Sequence, residues 1–554
     1  MRPLGICWPL LSLLVGPCVG GVAQHRLTYL RPLLAQKDPA HIAANFPDFD
    51  DEILSPAFTS PETVPEGFRH GISGPTPQNV LDSILRKEDW LKALAARNDW
   101  MSYQEPDFTS EEGRLIPLVT LSSASPQSLP SIDNSNYTNN SSKLRIWITG
   151  GVHGDEPGGD QAILALLGKL DANASFASSL LDRADLMILP RYNPDGVARF
   201  QRTLANGADP NRDHTALGHQ QTVDIKRLQN RFAPHVGIDC HEYYANRRHG
   251  RHADLLFAQD AMVSSMKNLN VHRTIRDLSQ TLFVDRMGAA LHARGLRWGP
   301  YVTRPNASEM VLLEMGTDAK MDTHVALGQG VQILTETRGT HLGEQHFRRR
   351  VATGLVLLEA AMEAVVEHAA VIYDTVEAAR AAFIESREDI VVTDRHRMME
   401  ANWTFIDAAS GEITDIPVQF GNSTPVEAEI TRRRPEAYVF GPEWASIAEK
   451  LRIAGVQVET LTAPFQGEVE ATHVRGSGDE VVPQEETTPR LIANTEAIRK
   501  EVQIPAGGFR VSTRQRMAAQ AFVRLEPESV DSFAAFRLLP ASPGDEYPVY
   551  RVMS

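Results

Sequence analysis

Between residues 144 and 240 the chain alternates short apolar runs with segments of helical spacing, and this alternation narrows the possible folds more than any other feature. Residues 144–149, 184–189 and 235–240 have the length and composition of strands, whereas 160–170 and 222–232 repeat apolar residues at helical intervals. The pattern predicts an α/β fold, a mostly parallel mixed sheet with helices on both faces. In such sheets ligands bind at the carboxyl ends of the strands.

The turn after the first strand reads Gly150-Gly151-Val152-His153-Gly154-Asp155-Glu156-Pro157-Gly158-Gly159. It is half a metal site. Imidazole and carboxylate suit zinc, and a catalytic zinc takes three protein ligands and keeps a position for water. Fold logic supplies the third ligand as His241, in Asp239-Cys240-His241-Glu242 at the end of another strand. A lone histidine is more often a satisfied core or surface residue, but the joint pattern of His153, Glu156 and His241 outweighs that reading. Strand alternation turns Cys240 to the face opposite Asp239 and His241, which predicts burial as a small hydrophobe rather than a zinc thiolate. For Asp239, a role beside His241 and a plain structural role are equally open.

At 554 residues the chain is too long for one ordinary core, so two domains are expected. Its net charge of −15 argues against a nucleic-acid partner. The N-terminus has the form of a secretory signal over residues 1–23: Met1-Arg2, an apolar stretch from Leu4 to Val19, then Gly21-Val22-Ala23. That stretch is too short and wrongly flanked for a membrane span, with a retained anchor as the alternative. The mature chain is then expected outside the cell, or in the periplasm of a bacterium. Removal of Cys7 and Cys18 would leave only Cys240 and no internal disulfide. Asn136, Asn139, Asn140, Asn173, Asn306, Asn402 and Asn422 open Asn-x-Ser/Thr sequons, glycosylation acceptors in a eukaryotic source.

Three further segments complete a pattern. They are Asn193-Pro194-Asp195-Gly196, then Arg202 followed by Asn206-Gly207-Ala208-Asp209-Pro210-Asn211-Arg212, and later Thr335-Glu336-Thr337-Arg338-Gly339. With His153, Glu156 and His241 in this order, the chain resembles the zinc metallocarboxypeptidases of the carboxypeptidase A family. The resemblance implies one zinc per chain on those three ligands and a peptide substrate with a free C-terminus. It implies that Glu336 is the general base for zinc-activated water and that Arg202 polarises the scissile carbonyl. It also implies that Asn211 and Arg212 grip the terminal carboxylate, and that Asp209 orients the first zinc histidine. Tyr301 is the candidate for the family's tyrosine that closes over substrate.

Two departures bear on the carboxylate pocket. Pro210 stands where the family often has leucine or alanine, and Asp213-His214 where Asn-aromatic is usual, so that pocket is expected to be reshaped. The sequence His-Gly-Asp-Glu also resembles zinc amidases of murein peptides and of N-acyl amino acids, and this alternative stays open. A non-catalytic module of the same fold is disfavoured by the joint presence of the ligands, Arg202 and Glu336.

The expected organisation is a signal over 1–23, an irregular arm over 24–71, a catalytic domain over 72–385 and a smaller mixed α/β accessory domain over 395–554. The arm could be lost on activation or fold back on the catalytic domain. Helices are expected at 80–95, 347–383 and 444–454. Strands are expected at 437–440, 456–461, 509–512 and 521–523, with a loop at 466–489. The basic run Arg247 to His252 reads as a solvated loop, ahead of a rim that attracts acidic peptides.

Overall fold

The computed structural model describes residues 37–58, 90–124, 142–305, 309–315, 323–343, 345–480 and 490–553. The expected signal, residues 80–89 of the expected helix, and the sequons at Asn136, Asn139, Asn140 and Asn306 lie outside the described residues. No helix among the described residues is long and apolar enough to cross a membrane.

The main sheet runs in the order β1 (Met101–Gln104), β2 (Leu118–Leu121), β4 (Ala184–Leu189), β3 (Leu144–Gly150), β5 (Val236–Tyr244), β11 (Val331–Thr340), β7 (Ala261–Ser265) and β8 (Trp298–Gly299). The central strands β4, β3, β5 and β11 are mutually parallel, and antiparallel neighbours flank them on both sides. β3, β4 and β11 are buried along their whole length, as strands covered on both faces must be.

Alternation along β3 shows how the two faces are filled. Ile146 and Ile148 point into a core with Ile163, Leu164 and Leu167 of helix α1 (Pro157–Ala172) and Leu357, Leu358 and Val365 of α3 (Phe347–Glu385). Trp147 points the other way, into a cluster with Ile225, Leu228 and Phe232 of α2 (Gln220–Phe232). The mixed α/β fold expected from the alternation is therefore the fold observed, with β5 extending to Tyr244 rather than ending before His241.

Beyond α3 the chain forms two further sheets. A long hairpin, β12 (Ile390–Asp407) and β13 (Ile413–Arg432), joins β6 (Leu255–Phe257), β9 (Val302–Thr303) and β10 (Val311–Glu314), so this segment pairs with strands that precede β11 in the chain. The last sheet, wholly antiparallel, runs β15 (Glu459–Thr460), β18 (Phe509–Ser512), β14 (Ala437–Phe440), β19 (Val549–Val552), β16 (Phe465–Glu480) and β17 (Arg490–Ile504). Helices α4 (Ala445–Ile453) and α5 (Ala518–Leu525) accompany it.

Two local expectations are corrected here. Residues 465–480 are a strand rather than loop, because ladder bonds to β17 hold a polar, two-sided hairpin that carries little apolar alternation. Residues 521–523 belong to α5 rather than a strand. All eight residues of that helix are buried, and a short apolar run does not by itself distinguish a buried strand from a buried helix.

The arm folds back. Asp38 is buried against Arg338, its carboxylate oxygens accepting bonds of 2.7 and 3.2 Å, and Phe46 lies 4.1 Å under the same guanidinium. Ile42 and Phe46 pack with Leu256, Ala258 and Ile406, which fastens the arm to the second sheet as well.

His235, fully buried, ties the amino ends of the central strands together. Its Nδ1 accepts from the amide of Arg145, its Nε2 donates to Glu377 on α3 at 3.1 Å, and its carbonyl accepts from the amide of Val331. Burial pushes its pKa down to about 3, so the folded state holds it neutral. Because the folded pKa lies below the unfolded one, this stabilisation is full above about pH 6.5 and fades as pH falls toward 3. A His235→Gln variant is expected to be about 1–3 kcal/mol less stable at pH 7 and to show a shallower loss of stability between pH 6.5 and 4. Urea unfolding at a series of pH values checks this, and equal slopes in the two proteins would remove His235 from the acid response.

Candidate metal centre

The glycine run after β3 shapes the ligand loop. A Cβ on Gly154 would lie 1.9 Å from the carbonyl carbon of Gly196, and one on Gly159 would lie 2.6 Å from the carbonyl oxygen of Cys240. Only glycine lets the loop press on the Asn-Pro-Asp-Gly turn while the first turn of α1 abuts β5. Pro157 opens that helix, where its missing amide hydrogen costs nothing. His153 and Glu156 are thereby held over the end of the sheet.

His153, Glu156 and His241 are buried, and their ligand atoms lie within 4.8 Å of one another. Glu156 Oε1 is 2.8 Å from His153 Nδ1, Glu156 Oε2 is 2.9 Å from His241 Nδ1, and the two Nδ1 atoms are 3.2 Å apart. The opposite ring nitrogens face carboxylates: His153 Nε2 is 3.2 Å from Asp209 and His241 Nε2 is 2.9 Å from Asp239. Both imidazoles thus turn Nδ1 inward with Nε2 anchored from behind, the arrangement that fixes a metal-binding histidine's tautomer and raises its basicity.

The spacing fits zinc. Four ligands at about 2.1 Å in a tetrahedron stand about 3.4 Å apart, close to the separations seen here, and the nitrogen and oxygen donors match the ion. Burial pushes Glu156 up, but the two histidines outweigh it and hold the carboxyl below the usual range. Burial opposes a charge on His241, yet Asp239 and Glu156 raise its pKa well above the ordinary value.

The other expected site residues surround this group. Arg202 bonds Asp209 through Nε at 2.9 Å and brings Nη1 to 3.1 Å from His153 Nδ1 and 3.3 Å from Glu156. Asn211 on the turn after Asp209 has its side-chain nitrogen 3.4 Å from His241 Nε2, with Arg212 adjacent. Glu336 lies beside His241 in the register of β11 on β5, which sends both side chains to the same face. Among the described residues no hydrogen bond occupies its carboxylate, and burial holds its pKa well above the usual range against the pull of His241. Tyr301 is half-buried in apolar packing, its amide donating to Ser264 Oγ.

Asp155 received no role from the sequence. It is buried in the ligand loop, and burial together with its neighbour Glu156 pushes its pKa up to about 6. Its place between two ligands is the one signal that points to it. Asn193 was singled out only as part of a motif. Its amide holds the carbonyl of Thr203 at 3.0 Å and caps Gly196, shaping the loop that delivers Arg202. Cys240 is buried in the core on the opposite side of β5, and burial pushes its thiol up to about 12.

Residues 87–254 match the family described as zinc carboxypeptidase. The chain is 44% identical over 520 residues to Carboxypeptidase 2 of Trichophyton tonsurans, covering 93% of this chain and 94% of that one. It is 42% identical over 540 residues to Carboxypeptidase 2 of Trichophyton rubrum, covering 96% and 98%. Among solved structures, a metallo-carboxypeptidase from Burkholderia cenocepacia is 20% identical, with a TM-score of 0.37 over 51% of this chain and 68% of that one.

The geometry separates the candidate ligands His153, Glu156 and His241 from the carboxylates behind them. His153→Ala is expected to abolish zinc binding, whereas Asp239→Ala keeps the ligands and is expected to weaken zinc by about 10–100-fold. Chelator competition with metal analysis reads both. An unchanged affinity in Asp239→Ala would make that carboxylate a packing element.

Proposed function

The chain belongs to the zinc carboxypeptidase family, and from that premise we propose that it hydrolyses the last peptide bond of peptides with a free C-terminus, using one zinc per chain. The observation that carries this reading is the buried His153–Glu156–His241 group with Glu336, Arg202 and Asn211 around it. Zinc on those three ligands would act as a Lewis acid and make water nucleophilic near neutral pH.

The remaining chemistry belongs to the chain. Glu336 would take the proton from the attacking water and return it to the departing amine, which needs a carboxylate with free lone pairs and a raised pKa. Arg202 is already charged and anchored on Asp209, so it can meet the oxygen that becomes negative with little reorganisation. Asn211 and Arg212 would bind the substrate's terminal carboxylate, a planar guanidinium matching it in a bidentate manner. Tyr301 could close over substrate only by leaving its apolar packing.

The near full-length likeness to proteins named Carboxypeptidase 2 favours this reading over the amidase alternative. The proposal extends to secretion, on the signal-like segment Met1 to Ala23.

Glu336→Gln is expected to retain zinc while kcat falls by about 10²–10⁴, and Arg202→Ala to lower kcat by about 10²–10³. Full activity in Glu336→Gln would sink its assignment as base. Paired peptides with free or amidated C-termini test the carboxylate grip. Amidation should nearly abolish turnover by the unaltered enzyme, and equal rates on both would point instead to an amidase.

A further inference from the structure

The segment that carries Asp209, Asn211 and Arg212 continues without regular structure until α2 begins at Gln220. Its front is tied to the metal centre. Asp209 bridges His153 and Arg202 and also accepts from the amide of Asn211 at 2.8 Å. Asp213 then folds the chain back on itself, accepting from the amides of Gly218 at 2.7 Å and His219 at 3.0 Å.

The back of the same segment is held by the last third of the chain. Arg524 of α5, itself 2% exposed, donates to the carbonyl of His214 at 2.8 Å. Lys450 of α4 donates to the carbonyls of Ala216 at 2.5 Å and Leu217 at 3.2 Å. Leu217 and Val223 pack against Ile453 of α4. Two cations from the C-terminal unit therefore meet consecutive turns of a loop that starts two residues after Arg212, and they bond its backbone rather than its side chains. Charge-assisted bonds to carbonyls are the stronger kind, and Arg524 makes its bond out of contact with water. This is also the stretch where Asp213-His214 departs from the family pattern, so the unusual residues and the extra fastening coincide.

We propose that the C-terminal unit acts as a clamp on the substrate-carboxylate loop, with Lys450 and Arg524 as positioning residues that set where Asn211 and Arg212 stand and hence the affinity for a free C-terminus. This rests on the reading of Arg212 as the carboxylate ligand. The reason that a distant contact matters is geometric: a displacement of about 1 Å in a positioning group can cost about a hundredfold. Lys450 and Arg524 bond the loop and not the His153–Glu156–His241 group, so their effect is expected on KM rather than on the chemical step.

Steady-state kinetics of the full-length zinc enzyme on one peptide with a free C-terminus test the clamp, with zinc content and thermal unfolding measured alongside. Lys450→Met is expected to raise KM about tenfold with kcat within about twofold, and Lys450→Arg, which keeps a charged donor, to restore most of the loss. Lys500→Met serves as the control for general loosening of the unit, because Lys500 pairs with Glu546 at 2.7 Å and has no contact with the loop in the bonds described. Its KM should be unchanged. Arg524→Lys provides a second, independent approach to the same loop and should also raise KM. If Arg212→Gln raises KM while Lys450→Met and Arg524→Lys leave it alone, the clamp is wrong and the carboxylate reading survives. If Arg212→Gln leaves KM unchanged, the carboxylate reading falls and the clamp falls with it. A KM increase in Lys500→Met equal to that of Lys450→Met would also overturn the clamp in favour of general destabilisation.

Discussion

The register between β5 and β11 is the constraint on which the rest of the site depends. It sets Glu336 against His241 and Thr337 against Glu242. A slip of one residue would turn Glu336 to the opposite face, where Cys240 and Glu242 lie against the helices. Contacts at both ends prevent that slip. At the amino end His235 joins Arg145, Val331 and α3. At the carboxyl end Glu242 takes a paired bond from Arg350 of α3 and one from Thr337, while Arg338 is held by Asp38 from the folded-back arm. The arm is therefore part of what keeps the strand bearing Glu336 in place.

Concentrating so many ionisable groups out of water is costly unless each has a partner. The centre meets that requirement in pairs: Glu156 between two histidines, Asp209 between His153 and Arg202, and Asp239 on His241. Glu336 and Asp155 stand outside these pairs as buried carboxylates, and burial raises the pKa of both.

Legibility differed from one part of the chain to another for physical reasons. The parallel core was readable because strands buried on both faces are continuous apolar runs, as at 184–189, and helices that cover them repeat at their own period. His153 and Glu156 were readable because they share one short loop. His241 needed the fold argument, since it joins them from another strand. The last third of the chain was harder. The hairpin of β16 and β17 is stabilised by backbone ladders that leave little trace in side-chain pattern, and the buried helix α5 resembles a strand when three of its residues are read alone. Which ring nitrogen of His241 faces Asp239 is a matter of side-chain rotation, which no local pattern in the sequence sets.

Taken by itself, the sequence determined the kind of core and the inventory of reactive groups, because periodicity and short motifs are local properties carried by neighbouring residues. Tertiary structure alone decided that both histidines turn Nδ1 inward, that Arg202 leans on Asp209, that Asp38 meets Arg338 and that Arg524 meets the loop after Arg212. Those outcomes depend on contacts between distant positions, such as Asp38 with Arg338 and Arg524 with His214, the latter separated by 310 residues. Such pairs are chosen by packing of the whole chain, and no local pattern encodes them.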